Sequence, residues 1–456
     1  MNKNPLKKIF LLSAALCLSL FLFGCGAATT LKEISPEREK ITEEPEASEK
    51  KESEKEASEK EDDSADKKKE TEVEKTTVRA ATLAEAVNTF NWNYYNTQDT
   101  DSNLFYSPIS LESALAMALK GAKNDTYEEL ADVLCIGDMN TFMDSYSSLS
   151  SGYGDEKIKL TVANSLWIDK TFDKEYGVDP DFVSELEKKM DAEVILEDFK
   201  NNSEKAASDI TDWVKKKTEN LIPDYQSVAS ADTALDIINA IYFFGEWRNK
   251  FSADNTSSQD FRRPGGTVTV DMMNMNDEYF RYFKDGGFKG IELPYYDDKA
   301  VMDIILTDDD NDLSAPEAFK SLSAKEREDF ISGISSAEEV KISMLMLPKF
   351  TMDITAEGLK ESLINLGAAS AFDKNKADFS GICEKLFISD ISHRAKIEVD
   401  EEGSRAAAVT EVVMELASAI AEPEEIIDFV CDRPFVFVIR DRESGTILFT
   451  GIVNEP

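Results

Sequence analysis

Residues 429–439 read Phe-Val-Cys-Asp-Arg-Pro-Phe-Val-Phe-Val-Ile. The part from Phe435 onward is rich in aromatic and β-branched residues, a composition that is typical of a strand. A turn through Glu443-Ser-Gly445 follows, and a second apolar run extends from Thr446 to Val453. Two strand-like runs joined by a short turn that contains glycine predict a β-hairpin at this end of the chain.

Three earlier segments carry the helical period. Leu83–Tyr95 predicts an amphipathic helix. Ser107-Pro108 opens a second helix as N-cap and first-turn proline, and leucines then recur every fourth residue between positions 111 and 119. Thr355–Leu366 predicts a third helix, which ends at Gly367.

Four further apolar runs predict strands: Thr161–Ile168, Leu235–Phe244, Val301–Leu306 and Val340–Leu347. Helices dominate the early part of the chain and strands the late part, without a regular alternation of the two. This order favours an α+β fold over a doubly wound parallel sheet.

The charge of the chain restricts its partners. The chain has 456 residues and a formal net charge of -39. We expect no nucleic-acid partner, because a phosphate backbone selects basic surfaces. An acidic body also repels anionic lipid, so any membrane attachment has to come from a dedicated segment.

The N-terminus offers such a segment. Three lysines precede the apolar run Ile9–Phe23, which is too short for a comfortable transmembrane helix. The run ends in Leu-Phe-Gly-Cys25 and resembles the bacterial lipoprotein signal, in which the cysteine receives a diacylglyceryl group. The resemblance implies a signal peptide over residues 1–24, lipidation of Cys25, and an exported protein anchored to the bacterial cell membrane. An ordinary cleaved signal with an incidental cysteine is the alternative.

The segment 25–80 follows as a stalk. It is dominated by Glu, Lys, Ser and Ala, and Glu46-Ala-Ser-Glu-Lys50 recurs as Glu56-Ala-Ser-Glu-Lys60. Such a composition cannot bury enough surface to offset its chain entropy, so we expect it to be disordered. The folded domain is expected over 81–456. Its three cysteines lack a CxxC pair and predict small buried thiols: Cys135, Cys383 and Cys431.

The motifs of common enzymes are missing. His393 is the only histidine, which excludes the HExxH motif and histidine-rich metal clusters. No GxSxG elbow, GxGxxG or GxxxxGK[ST] occurs. The acidic run Asp308–Asp312 lacks the glycine and the closing glutamate of a calcium loop and is expected to be a solvated turn. We therefore expect no enzyme activity, no catalytic residue, no metal and no cofactor.

Three separated stretches resemble the serpin family. Phe429–Ile439 is similar to the C-terminal serpin signature, in which Asp-Arg-Pro-Phe precedes an apolar strand. Asn239-Ala-Ile-Tyr-Phe-Phe-Gly-Glu-Trp-Arg-Asn-Lys-Phe251 and Val399-Asp-Glu-Glu-Gly-Ser-Arg-Ala-Ala-Ala408 resemble a second conserved segment and the hinge of the inhibitory loop. Two shorter motifs fit the same pattern in order, so that the resemblance covers Thr82–Pro456: Asn103-Leu-Phe-Tyr-Ser-Pro-Ile-Ser110 and Asn164-Ser-Leu-Trp167.

The resemblance implies the serpin fold, with three β-sheets, about eight to nine helices and an exposed reactive-centre loop that can enter a sheet. It also implies a mechanism. A protease attacks the loop and forms an acyl-enzyme, and the N-terminal half of the loop then inserts as a central strand and distorts the protease. We expect a monomer that inhibits serine proteases, with cysteine proteases as a second class of target.

The sequence of the loop can be compared with what insertion into a sheet requires. A segment that becomes a central strand has to alternate, with uncharged residues on the face that meets the core. Every second residue from Ser404 to Leu416 is uncharged, and the intervening positions hold all the charges of this stretch: Arg405, Glu411 and Glu415. This sorting favours insertion and, with it, a metastable native state.

The resemblance assigns roles to further residues. The hinge comprises Glu401, Gly403, Ser404, Ala406, Ala407 and Ala408. A buried "shutter" beneath the opening sheet comprises Ser107, Ser110, Asn239 and His393, and Trp247 belongs to the "breach" near the insertion point. Gly403 lets the chain reverse, and the alanines keep entry free of bulky side chains. A hydrogen-bonded core histidine and ordinary core packing of Trp247 are the plainer interpretations of these two residues.

Family spacing counted from Glu401 places the reactive bond at Ala417-Ser418. The connection from Gly403 to Pro434 is longer than in well-known members, so Leu416-Ala417 and Ile420-Ala421 remain alternatives. Small and aliphatic side chains suit elastase-, subtilisin- or chymotrypsin-like proteases and cannot pair with the acidic pocket of trypsin-like enzymes. Two rival functions stay open: a non-inhibitory serpin acting as a binding or chaperone-like surface module, and a lipoprotein hydrolase.

Overall fold

The computed structural model describes residues 79–404 and 426–456. The predictions made for other residues lie outside this range. They concern the signal peptide 1–24, Cys25, the stalk as far as residue 78, the hinge residues Ala406, Ala407 and Ala408, the reactive bond Ala417-Ser418, and the alternatives at Leu416, Ile420 and Ala421.

The described residues contain eleven α-helices: α1 (Leu83–Tyr95), α2 (Pro108–Gly121), α3 (Asn124–Val133), α4 (Met139–Ser151), α5 (Lys170–Tyr176), α6 (Pro180–Met190), α7 (Phe199–Lys217), α8 (Ala315–Ser321), α9 (Ala324–Ser336), α10 (Leu359–Leu366) and α11 (Ala369–Phe372). This exceeds the expected eight to nine because α5, α8 and α11 are short, at seven, seven and four residues.

The same residues contain fifteen strands: β1 (Leu104–Tyr106), β2 (Ile158–Asp169), β3 (Glu193–Glu197), β4 (Leu235–Glu246), β5 (Ser257–Arg263), β6 (Gly266–Asp285), β7 (Phe288–Pro294), β8 (Ala300–Thr307), β9 (Glu339–Pro348), β10 (Phe350–Thr355), β11 (Ile388–Asp400), β12 (Gly403–Ser404), β13 (Ile427–Val430), β14 (Phe435–Asp441) and β15 (Ile447–Val453). The α+β class is confirmed.

Hydrogen bonds join these strands into two sheets. The larger sheet follows the order β1-β15-β14-β8-β7-β6-β9-β13, with β5 paired to β6, and the smaller sheet follows β10-β11-β12-β4-β2-β3. The family resemblance implied three sheets. The strand β6 is 20 residues long and pairs with β5, β9 and β7 along its length. Because β6 is shared in this way, two of the expected sheets are continuous with one another.

The predicted hairpin and the first two predicted helices are confirmed. β14 and β15 pair antiparallel, and Gly445 in the turn between them has φ of +74°. Thr82 and Glu85 form a capping box at the start of α1. The hydroxyl of Ser107 accepts the backbone N–H of Ser110, so that Ser107 caps α2.

The prediction of a helix over Thr355–Leu366 is wrong at its start. Phe350–Thr355 is strand β10, in which buried and exposed residues alternate along its first four positions, and it pairs with β11. The chain then turns at Gly358, where φ is +62°, and α10 begins only at Leu359. The period of two before the turn outweighs the helical composition of this segment.

Helix α2 lies at the centre of the main core. All but one of its 14 residues are buried, and its side chains share a core cluster with apolar residues of β4 and β11 on one side and β14 and β15 on the other. Helix α7 covers the opposite face of the smaller sheet, where Ile210 and Val214 cluster with Ile238 and Ala240 of β4. Strand β4 is therefore enclosed on both faces, whereas β11 buries one face in the main core and leaves the residues of its other face half-buried.

Candidate functional site

The smaller sheet contains a contact between two parallel strands, which we call the seam. β11 and β4 pair in parallel over residues 388–396 and 235–242. Beyond these pairs, β12 lies between the two strands, and Gly403 and Ser404 pair antiparallel with both of them. The seam is thus closed over most of its length and occupied by two residues of a further strand at one end.

The chain enters the seam through a tight turn. Asp400 pairs with Gly403, so Glu401 and Glu402 alone form the connection from β11 to β12. Gly403 has φ of +151°, and a Cβ atom at this position would lie 2.1 Å from the carbonyl oxygen of Gly245. No other residue fits this approach without displacing the backbone. The hinge glycine therefore allows β12 to lie against β4.

Both glutamates of the turn are held by cations. Lys349 Nζ lies 2.7 Å from Glu401 Oε2, and the hydroxyl of Thr256 donates to Glu401 Oε1 at 2.7 Å. Lys250 Nζ lies 2.7 Å from Glu402 Oε2. Although partial burial disfavours its charged form, these hydrogen bonds from Lys349 and Thr256 hold the pKa of Glu401 below its usual value. These contacts fix the turn between β11 and β12.

Trp247 packs against the same turn. Its backbone N–H donates to the carbonyl of Glu402 at 2.8 Å, and its indole Nε1–H donates to the carbonyl of Asp400 at 3.0 Å. The indole stacks on Tyr295 with 4.5 Å between ring centroids and 12° between ring planes. The hydroxyl of Tyr295 lies 2.7 Å from that of Ser404. Tyr295 was not identified from the sequence.

His393 bridges α2 and the seam. Its Nε2 accepts the backbone N–H of Ser107 at 3.0 Å. Since Nε2 accepts, the proton of the neutral ring is on Nδ1, which donates to Oδ1 of Asn239. Burial lowers the pKa of His393 to about 3, so the ring is neutral near pH 7. A neutral ring with both nitrogens engaged acts as a fixed bridge and has no nitrogen left for acid–base chemistry.

The four predicted shutter residues lie in one hydrogen-bonded network. Asn239 Nδ2 donates to Ser110 Oγ at 2.6 Å, and Ser107 Oγ donates to the carbonyl of Leu448 at 2.6 Å. Through His393 and Asn239, the network also crosses the seam, because these two residues are partners in the parallel ladder. It therefore joins α2 to β4, β11 and β15.

The network extends to residues that the sequence analysis did not assign to the shutter. Asn239 Nδ2 donates to Asn164 Oδ1 at 2.6 Å, and Asn164 Nδ2 donates to Ser113 Oγ at 2.9 Å and to the Tyr146 hydroxyl at 3.3 Å. Asn164 is the partner of Asn239 in the antiparallel pairing of β2 with β4. In the sequence Asn164 is noted only as the first residue of the motif Asn164-Ser-Leu-Trp167, and the pairing of β2 with β4 shows its partner.

The predicted breach and hinge residues lie together at one end of the seam, and the shutter network lies apart from them. His393 and Asp400 are seven residues apart on β11, which corresponds to about 23 Å along an extended strand. The two groups are thus separate sites on the same pair of strands. The hinge positions Ala406, Ala407 and Ala408 lie outside the described residues.

The cysteines and the acidic turn that were noted in the sequence lie outside this site. Cys135, Cys383 and Cys431 are buried and free. The turn at Asp308–Asp312 is solvated as expected, and Asp310 in it also pairs with Lys289 and Arg433 at 2.7 and 2.9 Å. Within residues 79–404 and 426–456, no cluster of His, Cys, Asp and Glu is suited to a metal ion. In the same part of the chain, no helix is both long and apolar enough to cross a membrane.

Comparisons with known proteins agree with this geometry. The serpin family model, described as serpin (serine protease inhibitor), matches residues 85–456. A serpin-like protein of Thermococcus kodakarensis is 35% identical over 382 residues, which are 82% of this chain and 86% of that protein. Human leukocyte elastase inhibitor is 33% identical over 372 residues, which are 78% of this chain and 93% of that protein.

A solved structure has the same fold. Serpin48 from the insect Tenebrio molitor superposes with a TM-score of 0.70 at 28% identity, covering 82% of this chain and 98% of its own. The seam, the hinge turn and the buried polar network thus occur in a chain whose domain matches one family along nearly its whole length. The chain belongs to the serpin family.

Proposed function

We propose that this protein inhibits serine proteases as a suicide substrate. The protease cleaves the reactive bond in the loop that follows β12, forms an acyl-enzyme, and is trapped when the N-terminal part of the loop inserts between β11 and β4. The observation that carries the proposal is β12, because Gly403 and Ser404 already pair with both strands of the seam. The protein itself serves as the substrate and is not an enzyme.

Continuing the pairing of β12 gives each loop residue a position. Ser404 lies opposite Gly245 on β4 and opposite Val399 on β11. Two residues further along an antiparallel strand, Ala406 would meet Phe243 and Ile397. Both of these side chains are buried in the main core. The even-numbered residues, which carry no charge, would therefore face the core.

The insertion also improves the backbone pairing. The closed seam is a parallel ladder between β11 and β4. A strand that continues β12 would be antiparallel to both neighbours, so one parallel ladder would be replaced by two antiparallel ladders. Antiparallel pairing is slightly more stable per residue, and the number of ladder hydrogen bonds roughly doubles. This gain supports a native state that is less stable than the inserted state.

The buried network lies on the path of insertion. Continued in the same way, Thr410 would meet Asn239 and His393. The hydrogen bond between these two residues would have to open, and a threonine hydroxyl can supply replacement bonds to both. The role of the network is therefore to keep the seam closed until the loop arrives and to accept a polar residue afterwards.

The proposal includes the cellular location of the inhibitor and the class of protease that it traps. Lipidation of Cys25 would hold the protein at the outer face of a bacterial cell membrane, with the segment 25–80 as a stalk. The Ala417-Ser418 bond favours elastase-, subtilisin- or chymotrypsin-like proteases. The similarity to leukocyte elastase inhibitor supports targets of this class.

Mixing the protein with pancreatic elastase and separating the products on a denaturing gel tests the proposal. We expect an adduct that survives denaturant, with a mass near the sum of the two chains. Catalytically inactive elastase is the matched control and should give no adduct. Cleavage of the loop without any adduct would overturn the inhibitory function in favour of a binding module, and hydrolysis of small substrates by the protein alone would favour an enzyme.

A further inference from the structure

Two carboxylates face each other at the closed end of the seam, away from β12. Asp236 on β4 and Asp390 on β11 are partners in the parallel ladder. Partners in neighbouring strands point to the same face, and the strands lie about 4.8 Å apart. Asp236 is fully buried, and no hydrogen bond satisfies either of its carboxylate oxygens. Asp390 is half-buried.

The charged groups around this pair do not neutralise Asp236. Arg394, which follows Asp390 on β11, is engaged by Asp224 at 2.8 Å and by Asp353 at 2.7 Å. The segment that follows α7 also contributes Tyr225, whose pKa is raised by burial and by the charge of Asp236, so it stays neutral. On β2 the partner of Asp236 is a tryptophan, and α7 contributes apolar side chains to this face.

We propose that Asp236 and Asp390 make the opening of the seam sensitive to pH. When Asp236 is protonated, β4 and β11 remain in contact. When it is charged, its repulsion from Asp390 weakens the seam and speeds the entry of a strand. This inference rests on the proposed insertion of the loop.

Insertion of a strand moves the two carboxylates apart and so relieves their repulsion. A strand that enters between β4 and β11 would increase the separation of the two from about 4.8 to about 9.6 Å. Continuing the pairing of β12 as above, Val413 would lie between Asp236 and Asp390. The uncharged side chain at this position separates the two carboxylates and introduces no further charge.

The direction of the pH dependence follows from the closed state. Burial and the charge of Asp390 raise the pKa of Asp236 to about 8. Opening the seam removes the contribution of Asp390, so the pKa is lower in the open state. A group with a higher pKa in the closed state stabilises that state at low pH, and this stabilisation is lost as the pH rises through that pKa. Opening of the seam is therefore expected to become faster as the pH rises from 6 to 9.

Uptake of a synthetic peptide tests this. The peptide has the sequence of residues 404–416, and its incorporation into the full chain is followed by native gel from pH 6 to 9. We expect uptake to be roughly threefold to tenfold faster at pH 9 than at pH 6, as one pKa unit between the states allows at most about tenfold. Asp236→Asn should take up peptide at one rate across this range. Asp390→Asn, at the half-buried partner, should reduce the dependence.

Asp232→Asn is the matched control, because Asp232 is an exposed carboxylate four residues before Asp236. It should keep the wild-type profile. A wild-type profile that neither Asp236→Asn nor Asp390→Asn alters overturns the inference, while peptide uptake itself still supports loop insertion. Absence of uptake at every pH, together with absence of a protease adduct, overturns the proposed function as well.

Discussion

The hydroxyl of Tyr295 lies 2.7 Å from the hydroxyl of Ser404, and both side chains are buried. Tyr295 directly follows β7 of the larger sheet. Ser404 is the last residue of β12, which belongs to the smaller sheet. The ring of Tyr295 is itself held against Trp247. One hydrogen bond thus ties β12 in the smaller sheet to the end of β7 in the larger sheet.

Replacing Tyr295 by Phe removes this bond and leaves the buried hydroxyl of Ser404 without its partner. We expect the free energy of unfolding of the native protein to fall by about 1–2 kcal/mol. Denaturation in urea, followed by tryptophan fluorescence, measures the loss. Tyr296→Phe is the control, because Tyr296 is exposed, and its effect should stay within about 0.5 kcal/mol. Equal losses in the two variants would show that the bond contributes nothing.

The pairing of β12 predicts opposite results for two neighbouring alanines. Ala406→Arg would bring a charge against Phe243 and Ile397, which costs several kcal/mol for an unpaired buried group. Ala407→Arg would place the same side chain on the outer face. The yield of adduct with elastase should collapse for Ala406→Arg, which becomes a substrate, and should be largely retained for Ala407→Arg. The reverse ranking would mean that the loop enters shifted by one residue.

His393 predicts a loss of stability in acid. Its pKa is about 3 in the folded protein, against about 6.5 in an unfolded chain. Because the folded pKa is the lower one, the unfolded state binds a proton first, and stability falls as the pH drops from about 6.5 towards 3, by up to about 1.4 kcal/mol per pH unit. Urea denaturation at pH 7, 6 and 5 should show a steeper decline for the wild type than for His393→Gln. Parallel profiles would show that His393 is not held neutral by the fold.

Cleavage of the loop should stabilise the protein. A single cut frees residues after Ser404 to continue β12, and the ladder hydrogen bonds gained raise the unfolding temperature. Differential scanning calorimetry of intact and cleaved protein measures the change. Ala406→Arg, cleaved in the same way, is the control and should gain much less. An unfolding temperature that is unchanged or lower after cleavage of the wild type would be incompatible with insertion.

The position of the cut tests the reactive bond. Sequencing the C-terminal fragment released from the elastase adduct should give a new N-terminus at Ser418. An N-terminus at Ala417 or Ala421 would shift the bond to one of the alternatives, and one outside residues 415–422 would defeat the assignment. Trypsin should give little adduct, since the residues preceding these bonds carry no positive charge.

Local patterns predicted much of the fold. The bounds of α1 and the hairpin of β14 and β15 follow from hydrophobic period, caps and turn residues, which act over a few residues. The start of α10 was missed because the alternation in β10 and the turn at Gly358 lie directly beside a helical composition. Neighbouring signals of this kind compete, and only the pairing of β10 with β11 decides between them.

The candidate site was predictable only in part. Asn239 and His393 were assigned to the shutter through the family resemblance, but Asn164 acquires its role from lying opposite Asn239 on β2. In the same way, Asp236 and Asp390 are ordinary acidic residues in the sequence, 154 positions apart, and become neighbours only through the parallel pairing. Contacts between distant strands depend on topology, which no local pattern encodes.

The parallel ladder between β4 and β11 has a consequence for how long the protein remains active. If the inserted state is the more stable one, the working form is preserved only by the activation barrier to breaking this ladder. The stability of the working form is then described by a half-life and not by an equilibrium constant. Every inhibitor molecule converts slowly to an inactive inserted form even when no protease is present. The residues along the ladder therefore set the rate at which the active form is lost. A ladder that opens more easily would speed the trapping of a protease and shorten the lifetime of the active inhibitor.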